Sequence, residues 1–295
     1  MLSLTIRFIF IYMSLLLKNK YVLLFVALIA VSSSAWVVRL LPDLSSTTIA
    51  FWRMFLASTM AFIISYKTIF TFVPNKKIFF AGLFLGFHFA LFFRSVQLTS
   101  IAEAALLGTI APVFTETFSI FFQGKRFSQK VFFGLALALA GAYILISQSS
   151  FSETSSVGNV LAVLCSVAMA IVLLVGKNIR KQVGLFEYSR WLFFYAAICL
   201  FFIAFLEGVS VFDFTRGDFK WFVFLAAIPT MVGHNIYYFL IKSLSATTVA
   251  AVPLGEPVIS SFGAYFLFDE PVGSTVFLGG AITLVGVYII VKNDS

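Results

Sequence analysis

Glu116, Glu256 and His88 are titratable side chains that lie inside long apolar stretches of this sequence. An ionised acid at the centre of a bilayer costs at least ~2.5–3.5 kcal/mol, so it must face a cavity, pair with a base or be protonated. Each glutamate can therefore contact a substrate amine or carry a proton, and a helix–helix hydrogen bond is the alternative. His88 suits a cavity lining or a proton relay. The alternative for His88 is a buried ring bonded to a neighbouring carbonyl.

A polar stripe follows one predicted helical face farther along the chain. Asn235, Tyr238 and Lys242 recur at helical spacing, and His234 adjoins them. This pattern predicts side chains that line the inner half of a solute pathway. The alternative is hydrogen bonding between helices, to which small polar groups contribute ~0.6 kcal/mol each on average.

Four prolines fall inside apolar stretches and predict kinked helices, because proline removes a backbone hydrogen bond. Pro112 and Pro257 lie near the middle of their stretches, and Pro229 and Pro253 lie nearby. Interrupted helices at corresponding positions of two repeats commonly frame a central binding site. Packing-stabilised kinks without substrate contact are the alternative.

Arginine and tryptophan occur together near the start of two apolar stretches. Trp52 precedes Arg53, Arg190 precedes a second tryptophan, and Trp36 shares a helical face with Ser32 in an earlier stretch. Interfacial tryptophan with snorkelling arginine is the favoured interpretation. A gate that opens and closes during transport is the alternative.

The elements that must position these residues are transmembrane helices. The chain is 61% hydrophobic and 11% charged, whereas soluble domains carry about 25% charged residues. A span needs about 20 mostly apolar residues. Ten such runs can be placed, at residues 21–41, 47–66, 78–98, 101–123, 130–148, 157–176, 188–206, 219–241, 246–268 and 273–291. The fold class is therefore predicted as an all-α polytopic membrane protein.

The two halves of the chain match each other at one constant offset. Pro112 and Pro257 are 145 residues apart, and at the same offset Gly134 matches Gly279 and Gly141 matches Gly286. Basic residues concentrate in alternate loops, which places both termini in the cytoplasm. Five spans per half is an odd number, so the second copy is predicted to be inverted in the membrane.

Sequence motifs for several other functions are missing. The chain has no GxxxxGK[ST] loop, no HExxH motif and no cluster of Cys and His residues, which argues against an ATP motor and a metalloenzyme. We therefore predict no catalytic residue, no bound metal and no cofactor. The net charge of +8 is assigned to lipid headgroups rather than nucleic acid. Glycines in the last span could serve packing within the chain or a homodimer, and both remain open.

The chain resembles the EamA-type branch of the drug/metabolite transporter superfamily. The stretches that carry the resemblance are Phe51-Trp52-Arg53-Met54-Phe55, Ala111-Pro112-Val113, Glu256-Pro257-Val258, Phe268-Asp269-Glu270 and the glycine pairs of each half. Members often have an acidic residue after the fourth span as well as the ninth, but here Lys125 occupies the first position. The resemblance implies a bacterial inner membrane, and amino acids, nucleoside-like compounds or toxic cations as substrates.

These observations predict a secondary transporter that moves a small organic metabolite by alternating access. Proton-coupled export is the favoured form, an uncoupled facilitator or exchanger is the alternative, and a membrane enzyme or structural protein is a third hypothesis. Its predicted parts are an N-terminal cytoplasmic or interfacial segment, 1–20, and two five-helix repeats, 21–148 and 157–292.

Overall fold

The computed structural model describes residues 19–68, 74, 76–98, 101–146, 156–269 and 273–294. Most of the predicted N-terminal segment, residues 1–18, lies outside this part of the chain. The described residues form helices, turns and loops, with no β-strand among them. This confirms the predicted all-α class. Nine helices among the described residues are long and apolar enough to cross a membrane.

The uninterrupted spans are single α-helices. Spans one, two and three are Lys20–Arg39, Ser46–Ile64 and Lys76–Leu98; spans six, seven and ten are Ser156–Arg180, Leu185–Leu206 and Ser274–Lys292. The fifth helix, Gln129–Ile146, is apolar but shorter than the other spans. A 3₁₀ turn at Tyr66–Thr68 follows span two.

Each of the four prolines coincides with a departure from regular α-helix. Span four is two helices, Ile101–Gly108 and Ala111–Gln123, with Pro112 in the first turn of the second. Span nine is helix Ala246–Ala251, a 3₁₀ turn Val252–Gly255 that contains Pro253, and helix Glu256–Phe268 with Pro257 in its first turn. Proline has no N–H and cannot donate the backbone hydrogen bond of a continuous helix. Both spans are therefore interrupted, and at corresponding positions.

Span eight departs from α-geometry in a different way. It consists of helix Phe219–Leu225, a π-helical segment Ala226–His234 that contains Pro229, and helix Asn235–Leu240. Such wider turns inside α-helices are rare and occur frequently at functional sites. Its counterpart, span three, is an α-helix over its whole length.

Close glycine contacts join the fifth helix to span ten. A methyl group on Gly279 would lie 2.5 Å from the carbonyl oxygen of Gly141, and one on Gly286 would lie 2.7 Å from that of Gly134. The two helices are therefore antiparallel. Gly279, the counterpart of Gly134, meets Gly141, and Gly286, the counterpart of Gly141, meets Gly134. This exchange of equivalent contacts is the signature of a two-fold relation. These glycines serve packing within one chain.

The remaining helix pairs follow the same relation. Span three packs against span six and span one packs against span eight, which are equivalent pairs, while span two packs against span seven. Spans four and nine pack together most closely where Ala111–Gln123 meets Ala246–Ala251. We call this the basic end of the bundle, because Lys125, Lys177 and Lys181 lie near one another there.

Candidate functional site

Arg53 of span two lies in the interior of the bundle rather than at a membrane interface. Its side chain is buried, its Nε donates a hydrogen bond of 2.8 Å to Thr230 Oγ1, and its guanidinium lies 4.5 Å from the centre of the Phe89 ring. Phe89 and Thr230 belong to spans three and eight. The favoured sequence interpretation, an interfacial snorkelling arginine, is therefore wrong for Arg53, because neighbouring helices hold the side chain inside.

Glu256 is the acidic partner in the same region. Its carboxyl interacts electrostatically with Arg53 and with Tyr237. Glu256 is half-buried, and no described residue donates a hydrogen bond to its carboxyl. The two terminal nitrogens of Arg53 likewise donate no hydrogen bond within the described part of the chain. Opposite charges with unused hydrogen-bonding capacity therefore lie near each other.

Both histidines adjoin Arg53. His88 lies 3.0 Å by Nδ1 from the Cys165 carbonyl oxygen, which matches the alternative of a histidine bonded to backbone. Its ring contacts Phe89 at 4.9 Å between centroids, and His234 contacts the same ring at 5.8 Å. We call Arg53, His88, Phe89, Thr230, His234 and Glu256 the central cluster.

Tyr238 extends the cluster toward the basic end. It is fully buried, interacts electrostatically with Arg53, and has a hydroxyl without a hydrogen-bond partner in the described part of the chain. Its ring packs edge-on against Tyr188 at 5.4 Å between centroids. A buried hydroxyl that lacks a partner is costly, so Tyr238 is a candidate for contact with a solute or water.

Asn235 lies outside the central cluster. Its amide donates within its own helix to Met231 Sδ at 3.4 Å, which is not the interhelical bond proposed as the alternative. Asn235 and Met231 line a lateral groove of about 260 Å³ together with Leu23 of span one. No residue of the central cluster lines this groove.

Glu116 occupies a different environment from Glu256. Its Oε2 forms an ion pair with Lys125 Nζ at 2.8 Å and accepts a hydrogen bond of 2.7 Å from Thr247 Oγ1. Thr247 Oγ1 is also 3.3 Å from Thr115 Oγ1. We call Glu116, Lys125 and Thr247 the clamp. It joins the halves of spans four and nine that pack together at the basic end.

The three other candidate gate residues make contacts that hold helices and loops in place. Arg190 donates to the Ser65 and Thr68 carbonyl oxygens at 3.1 and 2.9 Å, and so closes the end of span two. Trp52 donates to the Val211 carbonyl oxygen at 2.7 Å. Trp36 donates to the Ser260 carbonyl oxygen at 3.1 Å.

The sequence pattern identified most of the central cluster but missed two of its members. Phe89 and Thr230 carry no chemical signal of their own among the abundant apolar and small polar residues. The internal repeat offered a usable signal. Phe89 and His234 are 145 residues apart, so they are counterparts in the two halves, and they meet near the two-fold axis.

Comparisons with known proteins identify relatives that are named as transporters. The chain is 27% identical over 216 residues to a protein of Archaeoglobus fulgidus named "Uncharacterized transporter", covering 73% of this chain and 76% of that protein. It is also 27% identical over 231 residues to the "Probable amino-acid metabolite efflux pump" of Escherichia coli (strain K12), covering 74% and 77%.

A crystal structure with a TM-score of 0.79 and 15% identity covers 92% of this chain and 95% of that one, which supports the fold alone. The sequence profile of the EamA-like transporter family matches residues 18–147 and 156–292. The matched residues make up most of the chain. The chain therefore belongs to the EamA-like transporter family, and it is a multi-pass membrane transporter of small metabolites rather than an enzyme.

Proposed function

We propose that this protein exports a small amphoteric metabolite of the amino-acid class. The observation that carries the proposal is the buried Arg53 guanidinium, which interacts electrostatically with the Glu256 carboxyl; the two charges complement a carboxylate and an ammonium group. Guanidinium binds carboxylate through two parallel hydrogen bonds, and the terminal nitrogens of Arg53 are not used by the described residues. The name of the Escherichia coli relative supports this class.

The route is alternating access, in which two five-helix repeats, 21–148 and 157–292, move about the central cluster. Support comes from the interruptions of spans four and nine at corresponding positions. The halves that meet at the basic end are joined by the clamp, so this end is the closed one. The membrane is a bacterial inner membrane, with both termini in the cytoplasm.

Export is coupled to protons through Glu256. A carboxyl group in the middle of a bilayer has a lower free energy in its neutral form. Glu256 would therefore bind a proton in one access state and release it in the other. His88 is a weaker candidate, since its Nδ1 is already paired with the Cys165 carbonyl.

Uncoupled exchange is the second candidate, and a specific observation favours it. Arg53 interacts with the Glu256 carboxyl, and an adjacent cation lets an acid remain ionised throughout the cycle. In that case Glu256 stays ionised. The cation that faces it alternates between Arg53 and the substrate ammonium, and no proton takes part.

Reconstituted protein distinguishes these candidates. Thermal unfolding with each of the twenty common L-amino acids identifies ligands, because compounds that bind only the folded state raise the melting temperature. Uptake of the best ligand into proteoliposomes is then measured with and without a pH gradient. Proton coupling predicts a rate that depends on the gradient, and an unchanged rate rejects it. If no amino acid shifts the melting temperature or is taken up, the substrate class is wrong.

A further inference from the structure

The π-helical segment of span eight has a consequence for Arg53 that begins at Pro229. In an α-helix, the N–H of residue 229 would donate to the carbonyl oxygen four residues earlier, which belongs to Leu225. Proline has no N–H, so the α-helical bond to this carbonyl is lost. In the π-helical segment that begins after Leu225, the carbonyl oxygen faces the backbone N–H five residues later, that of Thr230. The Thr230 hydroxyl donates to the same Leu225 carbonyl oxygen at 2.8 Å.

This bond fixes what the Thr230 oxygen can do next. A threonine hydroxyl has one proton, and here that proton is directed to the Leu225 carbonyl. The oxygen therefore presents lone pairs, and Arg53 Nε donates to it at 2.8 Å. Thr230 is fully buried, so water does not compete for either bond.

The guanidinium also lies over an aromatic ring. The Phe89 ring centre lies 4.5 Å from the Arg53 guanidinium carbon, a distance typical of a cation–π contact. With Nε held by Thr230 and one side facing Phe89, the guanidinium has little rotational freedom. Its two terminal nitrogens, which donate to no described residue, are therefore held in a fixed orientation.

We infer that Thr230 is a positioning residue that holds Arg53 ready to receive a carboxylate and thereby makes the transporter select carboxylated substrates. This inference rests on the proposed amphoteric substrate. Bidentate recognition depends on the orientation of the planar guanidinium. A freely rotating Arg53 would keep its charge but lose much of its preference for a carboxylate over an uncharged amide.

The test compares binding of the twenty common L-amino acids with binding of their carboxamides, which keep the ammonium group and lose the negative charge. For Thr230→Val we expect the amino-acid dissociation constant to rise about tenfold, the size of one hydrogen bond to a charged group. Carboxamide binding should stay unchanged. Thr230→Ser restores the hydroxyl and should bind amino acids within about threefold of wild type.

Two further variants separate positioning from stability. Thr283→Val removes a buried hydroxyl that bonds the Gly279 carbonyl at 2.8 Å, away from the central cluster. It should lower the melting temperature without changing selectivity. Pro229→Ala supplies an α-helical N–H that competes with the Thr230 hydroxyl for the Leu225 carbonyl, so it should reduce the preference for amino acids over carboxamides even though Thr230 is retained.

The outcomes are distinct. Equal loss of amino-acid and carboxamide binding in Thr230→Val, without rescue by serine, would overturn the positioning role and leave a structural one. If the wild type prefers amino acids and both Thr230→Val and Pro229→Ala keep that preference, the positioning role of Thr230 is overturned. The proposed substrate class then still stands. Equal binding of amino acids and carboxamides by the wild type would overturn the proposed substrate class, and this inference with it.

Discussion

Glu116 and Glu256 both lie beside a proline-marked interruption, one in each half of the chain, but their surroundings differ. Glu116 is bound by Lys125 and Thr247 from its own chain. Glu256 has a cation nearby and no hydrogen-bond donor among the described residues. An acid whose partners are supplied by the protein holds helices together, whereas an acid without them can bind a ligand or a proton.

Spans three and eight are also counterparts in the two halves, and their structures differ too. Phe89 and His234 are counterparts that contact each other, but only span eight contains a proline and a π-helical segment. Arg53 likewise has an apolar counterpart, Ile198, 145 residues later. The duplicated fold is symmetric, but the polar groups at its centre are not. An asymmetric cluster suits a solute with different charges at its two ends.

Arg53→Gln should have the largest effect. Under the proposed function, the variant loses two charge-assisted hydrogen bonds to the substrate carboxylate, each contributing about 1.5–3 kcal/mol, which corresponds to roughly a hundredfold or more in substrate binding and hence in uptake at low substrate concentration. The measurement is initial uptake into proteoliposomes. Arg190→Gln is the matched control. Arg190 donates to the carbonyl oxygens of Ser65 and Thr68, which follow span two, so this variant should have a lower melting temperature and unchanged uptake per folded protein. A similar loss of uptake in both variants would contradict the assignment.

The difference between the two glutamates is tested directly by comparing Glu256→Gln with Glu116→Gln. The first should weaken substrate binding about tenfold or more, because a hydrogen bond to a charged group contributes about 1.5–3 kcal/mol. It should also abolish any dependence of uptake on a pH gradient. The second should change binding less than about threefold. Equal effects of the two substitutions would remove the distinction between the acids.

Gly279→Ala should destabilise the protein by about 1–3 kcal/mol, the usual cost of overpacking. The added methyl would lie 2.5 Å from the Gly141 carbonyl oxygen, and backbone cannot move aside as a side chain can. Gly280→Ala is the control, because its methyl would meet only Val258 side-chain atoms at 3.1 Å or more. The measurement is the midpoint of thermal unfolding, and equal midpoints would contradict the close helix contact.

Lys125→Gln should have the smallest effect, because a partly exposed ion pair contributes about 0.2–1 kcal/mol. If the clamp holds the basic end closed, its loss should increase thiol labelling of a cysteine placed at buried Ser119 about two- to fivefold. The background lacks Cys165 and Cys199. A cysteine at exposed Gln123 should label equally with and without Lys125. Unchanged labelling at residue 119 would exclude a gating role for the clamp.

The sequence was sufficient for the helical class, because membrane insertion depends on the apolar content of each span separately. Proline positions also predicted where helices would be interrupted, since that effect is local to the backbone. The type of interruption was not predictable. Pro229 lies in a π-helical segment, whereas Pro112 begins a new helix, and the choice depends on packing against neighbouring spans.

The sequence by itself determined the apolar spans, the internal duplication and the small set of polar residues that a bilayer must accommodate. Only the tertiary structure decided which of these residues are already paired. Arg53 is bonded to a residue 177 positions away, and Glu116 to one 131 positions away. Such pairings depend on how distant helices pack, and the composition of a single span contains no information about its neighbour's side chains.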